Sequence, residues 1–432
     1  MKKICLTVVG MYFLYFHGFS QDAARDSSGY KPKKLTLNEV NIVSSYYDQT
    51  ANKSSVMGGR TDYKGVADVT DLANGLEIKF VGWDAKMRKN TLTAGLGLDA
   101  HTAASQAYVD SNGTAKNNGT RIYPTIDWTR ENERKGTSFG FGAYYSAEHN
   151  YYHSIGLNAS ASKKTKNNGE FSLKLTGYFD QIKMIYPAEF VHVDSIKNSS
   201  SADSIVYVTS ASGQTNALHY QNGQLTGGES KTQTPSKSRD TYTASFAFSQ
   251  VINARLNAAV MLDLVYMSGY LGLPFHRVYY NNGKDTIESL PSQRFKLPLG
   301  LRVNYFLGDN IILRGYYRFY ADSWGLTSQT ASLEIPFKIT PFFSLTPFYR
   351  FYTQTAARYF AAFEVHTINE QYFSSNYALA SFTSQFFGLG TRIATPKGIL
   401  IKNLSSLEIR YGHYTQSIDL NANIISLSLS FK

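Results

Sequence analysis

RFKLPLGLRVNYFLGDNIILRGYYRFY, residues 294–320, decides the fold. One set of alternate positions reads Phe295, Leu297, Leu299, Leu301, Val303 and Tyr305, and the other reads Arg294, Lys296, Gly300, Arg302 and Asn304. Gly308-Asp309 interrupts the run. The pattern then resumes with Ile311, Leu313, Tyr317 and Phe319 against Arg314, Tyr316, Arg318 and Tyr320. A period of two places the two sets on opposite faces of a strand. Strands of about ten to fourteen residues are long for a soluble sheet but suit a tilted membrane crossing.

The same stripe recurs on both sides of this stretch. Leu256, Ala258, Val260, Leu262, Leu264 and Tyr266 form one, and Phe343, Leu345, Tyr349 and Phe351 alternate with Ser344, Thr346, Arg350 and Tyr352. Ile425, Leu427, Leu429 and Phe431 alternate with Ser426, Ser428 and Ser430, a terminal strand of the kind that outer-membrane assembly machinery recognises, with its aromatic residue penultimate to Lys432. Extending the pattern gives strands near 35–47, 74–83, 90–102, 120–130, 136–147, 153–164, 169–182, 238–250, 254–267, 294–307, 310–322, 326–339, 342–354, 379–394, 403–414 and 420–431. Every second connection is then short, and the long ones (48–73, 103–119, 183–237, 268–293 and 355–378) all fall in the other set. That asymmetry is the signature of an antiparallel transmembrane β-barrel with short periplasmic turns and long extracellular loops, here of about 16 strands. A soluble β-sandwich gives shorter strands and no such bias.

Composition agrees. Aromatic residues make up 14% of the chain, with 32 Tyr and 27 Phe, yet mean hydropathy is only −0.28. Beyond the first residues no apolar run approaches the length of a membrane helix. Met1-Lys2-Lys3, an apolar stretch from Ile4 to Phe16 and Gly18-Phe19-Ser20 have the layout of a cleavable signal, so 1–20 is expected to be a signal peptide, 21–34 a periplasmic segment and 35–432 the barrel. Gln21–Lys34 is too short for a plug of the TonB-dependent kind. Cys5, the single cysteine, falls in the signal, which excludes disulfides and cysteine metal sites from the rest. Losing Lys2 and Lys3 takes the formal charge from +11 to +9. The basic residues are scattered rather than gathered on one face, which argues against nucleic acid. Anionic lipopolysaccharide outside, or anions inside, account for the charge more simply.

The polar register of the last strands is basic: Arg294, Lys296, Arg302, Arg314, Arg318, Arg350, Arg392 and Arg410, against Asp263, Glu334 and Glu408. A wall of one sign inside a low-dielectric channel concentrates ions of the other sign. The alternative is that these arginines fill the lumen and pair with Asp263, Glu334, Glu408 and tyrosine hydroxyls. All eight histidines after the signal fall in the loops or at strand ends on the loop side, without metal-ligand spacing. Asp99 and His101 share one strand face, a carboxylate–imidazole pair of the sort a rim enzyme would use, but no nucleophile or oxyanion hole accompanies them. No catalytic residue, metal site or cofactor follows from these patterns. The 355–378 loop is rich in aromatics (Tyr359, Phe360, Phe363, Tyr372, Phe373 and Tyr377) and reads either as a lumen constriction or as an adhesive surface. The 183–237 loop, rich in Ser, Thr, Gly and Asn, reads as mobile surface chain. Asp194-Ser195-Ile196, Asp203-Ser204-Ile205 and Asp285-Thr286-Ile287 resemble a short O-glycosylation motif of Bacteroidetes.

Leu37-Asn38-Glu39-Val40-Asn41-Ile42-Val43-Ser44-Ser45-Tyr46-Tyr47, Thr120-Arg121-Ile122-Tyr123-Pro124, Phe139-Gly140-Phe141-Gly142 and Tyr349-Arg350-Phe351-Tyr352-Thr353-Gln354-Thr355-Ala356-Ala357 carry a resemblance that covers nearly the whole chain after the signal. They resemble a Bacteroidetes-type family of envelope proteins known only as a domain of unknown function. The resemblance implies an outer-membrane location and a link to envelope redox or flavinylation systems, with a periplasmic or lipoprotein partner. It supplies no catalytic residues. Three expectations stand together: a porin-like passive channel for small anionic solutes, a non-conducting scaffold barrel in a redox-linked assembly, and a rim enzyme.

Overall fold

The structure, a computed structural model, describes residues 31–53, 57–61, 67–102, 118–148, 151–187, 235–396, 398–399 and 401–432, with backbone pairing also described for 204–209, 215–221 and 224–232. The expected signal at 1–20 and most of 21–34 lie outside the described residues.

The chain forms a closed antiparallel β-barrel. Its strands are β1 (Lys33–Ala51), β2 (Val69–Trp83), β3 (Lys89–Thr102), β4 (Asn118–Asn132), β5 (Thr137–Glu148), β6 (Tyr152–Lys164), β7 (Gly169–Lys183) and β8 (Ser236–Asn253). They continue as β9 (Leu256–Gly269), β10 (Gln293–Leu307), β11 (Ile311–Asp322), β12 (Thr327–Glu334, prolonged by Phe337–Lys338), β13 (Phe343–Gln354), β14 (Phe382–Ala394), β15 (Leu404–Gln416) and β16 (Leu420–Phe431). Each pairs with the next, and β1 pairs with β16 from Val40↔Phe431 to Ala51↔Leu420, which closes the ring at sixteen strands. Closure leaves no edge strand, so the backbone of the wall pairs strand to strand, as a bilayer demands.

All sixteen expected strands are present, and the expected asymmetry of connections holds. β12 alone is split, because Pro336 has no N–H to give the ladder. The ladder resumes at Phe337↔Leu345. The 183–237 segment departs from expectation. It carries a three-stranded antiparallel sheet, Ser204–Thr209, Thr215–Gln221 and Gln224–Thr232. Ile205, Val206, Tyr207 and Val208 supply β propensity, and Asn222-Gly223 is a hairpin turn signal that the overall polar composition hides.

The outer face is the hydrophobic one. Phe295, Leu299, Leu301, Tyr317, Phe319, Tyr349 and Phe351 are all exposed. Cross-strand registers such as Val260↔Leu301, Leu301↔Tyr317 and Tyr349↔Phe387 continue that belt around the wall. Apolar surface of this extent is not left in water by a monomeric protein, whereas lipid covers it at no cost. Placing a charge there is therefore expected to be destabilising: Leu301→Arg should cost about 2–4 kcal/mol if the site lies near the bilayer midplane. Unfolding in urea from phospholipid vesicles measures this. An unchanged midpoint would mean that this face does not meet lipid.

Candidate solute path

The other face is concave. Arg410 Nη2 on β15 donates to Glu334 Oε1 on β12 at 3.1 Å, a contact across two intervening strands that only the inside of a closed sheet allows. The strand registers put Arg294, Lys296 and Arg302 of β10, Arg314 and Arg318 of β11, Arg350 of β13, Arg392 of β14 and Arg410 of β15 on this lumen face. Asp263, Glu334 and Glu408 share it.

These charges divide into two groups. Arg294 Nε donates to Asp322 Oδ2 at 3.0 Å, its guanidinium lies 4.1 Å from the Trp324 ring, and Tyr320 donates to the same carboxylate oxygen at 2.7 Å. Glu334 takes Arg410 at 3.1 Å and Arg314 at 3.9 Å, and Glu408 lies 3.8 Å from Arg410. Among the described residues no carboxylate comes within ion-pair distance of Lys296, Arg302, Arg318, Arg350 or Arg392. Arg318 Nε is enclosed without a hydrogen-bond partner. Asp263 makes no ion pair among the described residues, contrary to its expected pairing. It lies with Ser160, Lys174, Ser245, Tyr316 and Arg318 around a lumen pocket of about 480 Å³. Asp322, the partner of Arg294, was missed because it closes β11, where the alternation ends.

The opposite wall, which also carries Lys79, Arg121 and Lys174, holds carboxylates that the sequence reading did not anticipate. Glu77 of β2 accepts from Asn41 Nδ2 at 3.2 Å, and Asp127 of β4 accepts from the Tyr144 hydroxyl at 2.9 Å and Asn158 Nδ2 at 3.2 Å. Toward the turns Glu131 meets Lys164 at 3.0 Å, and toward the loops Asp180 meets Arg239 at 2.8 Å. β2 and β10 stand eight strands apart in a ring of sixteen, so the strand of Glu77 lies opposite that of Arg302. The signal for the carboxylates of that wall was the same alternation in the first half of the chain, where shorter stripes and more glycines blur it.

The rim pair Asp99–His101 does not form. Asp99 is held by Arg121 and by the Tyr123 hydroxyl (3.0 Å), while His101 Nε2 lies 3.4 Å from Glu148. Each group is thus engaged by a different partner. His153 lies at the start of β6 and His413 meets Asn423 on the outer face of β15, whereas His149 and His192 lie outside the described residues. The described residues contain no cluster of metal-ligating side chains.

A second core caps the loop end. The described residues of the first loop (52–53, 57–61 and 67–68) pack with the fifth (270–292) and the seventh (355–381). Met57, Arg277, Val278, Ser374 and Ser375 have 0% exposure. Arg277 Nη1 lies 3.6 Å from Met57 Sδ, the Arg60 guanidinium lies over Tyr279 and Phe363, and Lys53 Nζ sits 5.2 Å from the Tyr377 ring. Ser374 ties the fifth and seventh loops together. Its hydroxyl donates to Glu288 Oε2 at 2.6 Å, and its carbonyl lies 3.1 Å from His366 Nε2, whose Nδ1 lies 2.6 Å from Glu370. Trp324, Leu326, Ala357 and Leu379 anchor this cap to the wall. The first loop springs from β1 and β2 and the fifth from β9 and β10, half a circumference away. Their contact therefore crosses the mouth. In the aromatic 355–378 segment Phe360 packs on Tyr377 and Phe373 on His366, while Val365 and Ile368 stay exposed. The Asp285-Thr286-Ile287 triplet is a hairpin strand of the cap, paired with Arg277–Tyr279, while 194–196 and Asp203 lie outside the described residues.

A family described as "Protein of unknown function (DUF3570)" matches residues 86–425. No curated protein matches the chain significantly. Among solved structures, the chain is similar to OprD of Pseudomonas aeruginosa, at 8% identity and TM-score 0.40, covering 92% of this chain and 95% of that one. It is similar to Pseudomonas aeruginosa OpdK with vanillate, at 8% identity and TM-score 0.39, covering 91% and 98%. A bacterial polysaccharide outer membrane secretin is similar at 8% identity and TM-score 0.43, covering 91% and 98%. Values this low carry nothing about solute or partner.

Proposed function

The chain belongs to the family described as protein of unknown function (DUF3570), so its role has to be sought in the barrel, and we propose an outer-membrane channel for small anionic solutes, with the capped end facing outward. The apolar belt and the closed wall support the membrane location. One observation carries the anion preference: Arg302, Arg318 and Arg350 sit near the middle of β10, β11 and β13 with no carboxylate in ion-pair reach among the described residues. Positive charge left uncompensated midway along a narrow polar passage, with low-dielectric walls, concentrates anions there. The cap makes this a selective path rather than an open pore, because a solute must pass beside or through a packed core.

The same cap favours a second reading, a non-conducting scaffold in an envelope redox or flavinylation assembly of the Bacteroidetes type, with a lipoprotein or periplasmic partner. Lipopolysaccharide around the belt and the assembly machinery at β16 are partners under either reading. Reversal potentials of the refolded barrel in a planar bilayer under a KCl gradient separate the two. A stable conductance favouring chloride is expected. A folded barrel that passes no current would give the scaffold precedence.

A further inference from the structure

We propose that the lumen wall of β13–β15 is a binding site for aromatic carboxylates. Most polar lumens are lined by side chains that keep water; this strip is lined by rings. Phe348 and Phe386 face the lumen 5.1 Å apart, and Tyr414 lies 6.4 Å from Phe386. Tyr352 and Phe382, 5.6 Å apart, continue the strip toward the cap. Gly388 and Gly412 make room for it: a Cβ at Gly388 would lie 2.6 Å from Phe348 Cζ, and one at Gly412 would lie 2.5 Å from Phe386 Cε2. These two glycines, paired across β14 and β15, thus let the rings lie low against the wall.

Two guanidiniums are stacked on these rings. Arg350 lies 5.0 Å from the Phe386 centroid, and Arg410 lies 5.0 Å from that of Phe348. Their roles differ. Arg410 is neutralised by Glu334 and Glu408. Arg350 is exposed to the lumen and has no carboxylate in ion-pair reach among the described residues. A guanidinium held against a ring keeps its donor edge free and loses little rotamer freedom on meeting a planar carboxylate, which it binds in a bidentate manner. An aromatic ring attached to that carboxylate then finds the edges of Phe386, Phe348 and Tyr414 within its own width. A short aliphatic acid satisfies Arg350 only. A neutral arene satisfies the rings only. The juxtaposition selects a ligand with both, such as benzoate or a hydroxybenzoate.

This site depends on the channel reading for the way its ligand reaches it, but its occupancy is measured without current. Equilibrium dialysis of the refolded barrel against benzoate, cyclohexanecarboxylate and acetate is the test, with heat-modifiable gel migration confirming that each variant is a folded barrel. Benzoate is expected to bind severalfold more tightly than cyclohexanecarboxylate and far more tightly than acetate. Arg350→Gln should abolish measurable benzoate binding. Phe386→Leu should remove the preference for benzoate over cyclohexanecarboxylate while leaving the weaker binding of both. Equal retention of benzoate and cyclohexanecarboxylate by the unmodified barrel, or undiminished binding in folded Arg350→Gln, overturns the site. A barrel that favours chloride yet fails this test keeps its channel and loses the site; one that binds benzoate but passes no current does the reverse.

Discussion

Gly59→Val is expected to raise single-channel conductance severalfold while leaving the barrel folded. Gly59 has φ +83°, in the left-handed region that a β-branched residue avoids, and any Cβ there would run into the Tyr377 ring. Beside it Gly58, at φ +59°, would bring a Cβ within 2.7 Å of the Arg277 carbonyl oxygen. The first loop can therefore cross the mouth only because two residues without side chains lead it between the fifth and seventh loops. Valine forces that crossing out, and Met57 loses its place against Arg277. The wall does not depend on this contact, since its sixteen ladders close through β1 and β16. Acid should act in the same direction. Glu370, against its partial desolvation, has its carboxyl held below the ordinary carboxylate range by the Thr367 N–H and by His366. A depressed carboxyl contributes stability that is present above its ordinary pKa and is lost as the pH falls through the folded value. Conductance of the unmodified barrel should accordingly rise as the pH drops below about 4, the ordinary carboxylate value. If Gly59→Val conducts as the unmodified barrel does, the cap does not limit the current.

The barrel and its two faces were legible because a strand writes its environment into the sequence with period two. Leu299 and Leu301 against Gly300 and Arg302 need no partner to be read. Strand ends were less sharp: β1 runs on to Ala51 and β2 begins at Val69, beyond the stripes, because polar residues near the rim still pair after the lipid belt has ended. The strand face on which each arginine stands follows the same alternation as the belt. The division into paired and unpaired arginines was not legible. Arg410 meets Glu334 three strands away, 76 residues earlier in the chain, and no periodicity encodes that. The cap was the least legible part. Met57 and Arg277 are 220 residues apart, and Glu288 and Ser374 are 86 apart. Loop residues carry no repeating pattern, so buried arginine, glutamate and serine look like ordinary surface polarity until the loops are brought together.

Replacing Arg302, Arg318 and Arg350 together by Gln is expected to turn a chloride-preferring channel into a potassium-preferring one. The sign follows from the opposite wall. Glu77 and Asp127 are held by neutral hydrogen-bond donors, Asn41 for the first and Tyr144 and Asn158 for the second, so their charges are not cancelled. In the unmodified barrel the three arginines outweigh them. With the arginines neutral, the paired charges (Arg410 with Glu334 and Glu408) contribute little, Lys296 and Arg392 remain near the ends of their strands, and at mid-height the carboxylates Glu77 and Asp127 set the potential. A potential of several kT in a confined passage is enough to reverse selectivity rather than merely weaken it. Arg→Glu at the same three positions should push the reversal further. Arg294→Gln is the contrasting case: it strips Asp322 of its cation, leaves a buried carboxylate with only the Tyr320 hydroxyl and backbone donors, and should lower barrel stability with little change in selectivity. Reversal potentials for the two kinds of variant therefore separate charge that acts on ions from charge that holds the wall to the cap. A triple Gln variant that still prefers chloride would mean that the basic arc does not face the conducting path.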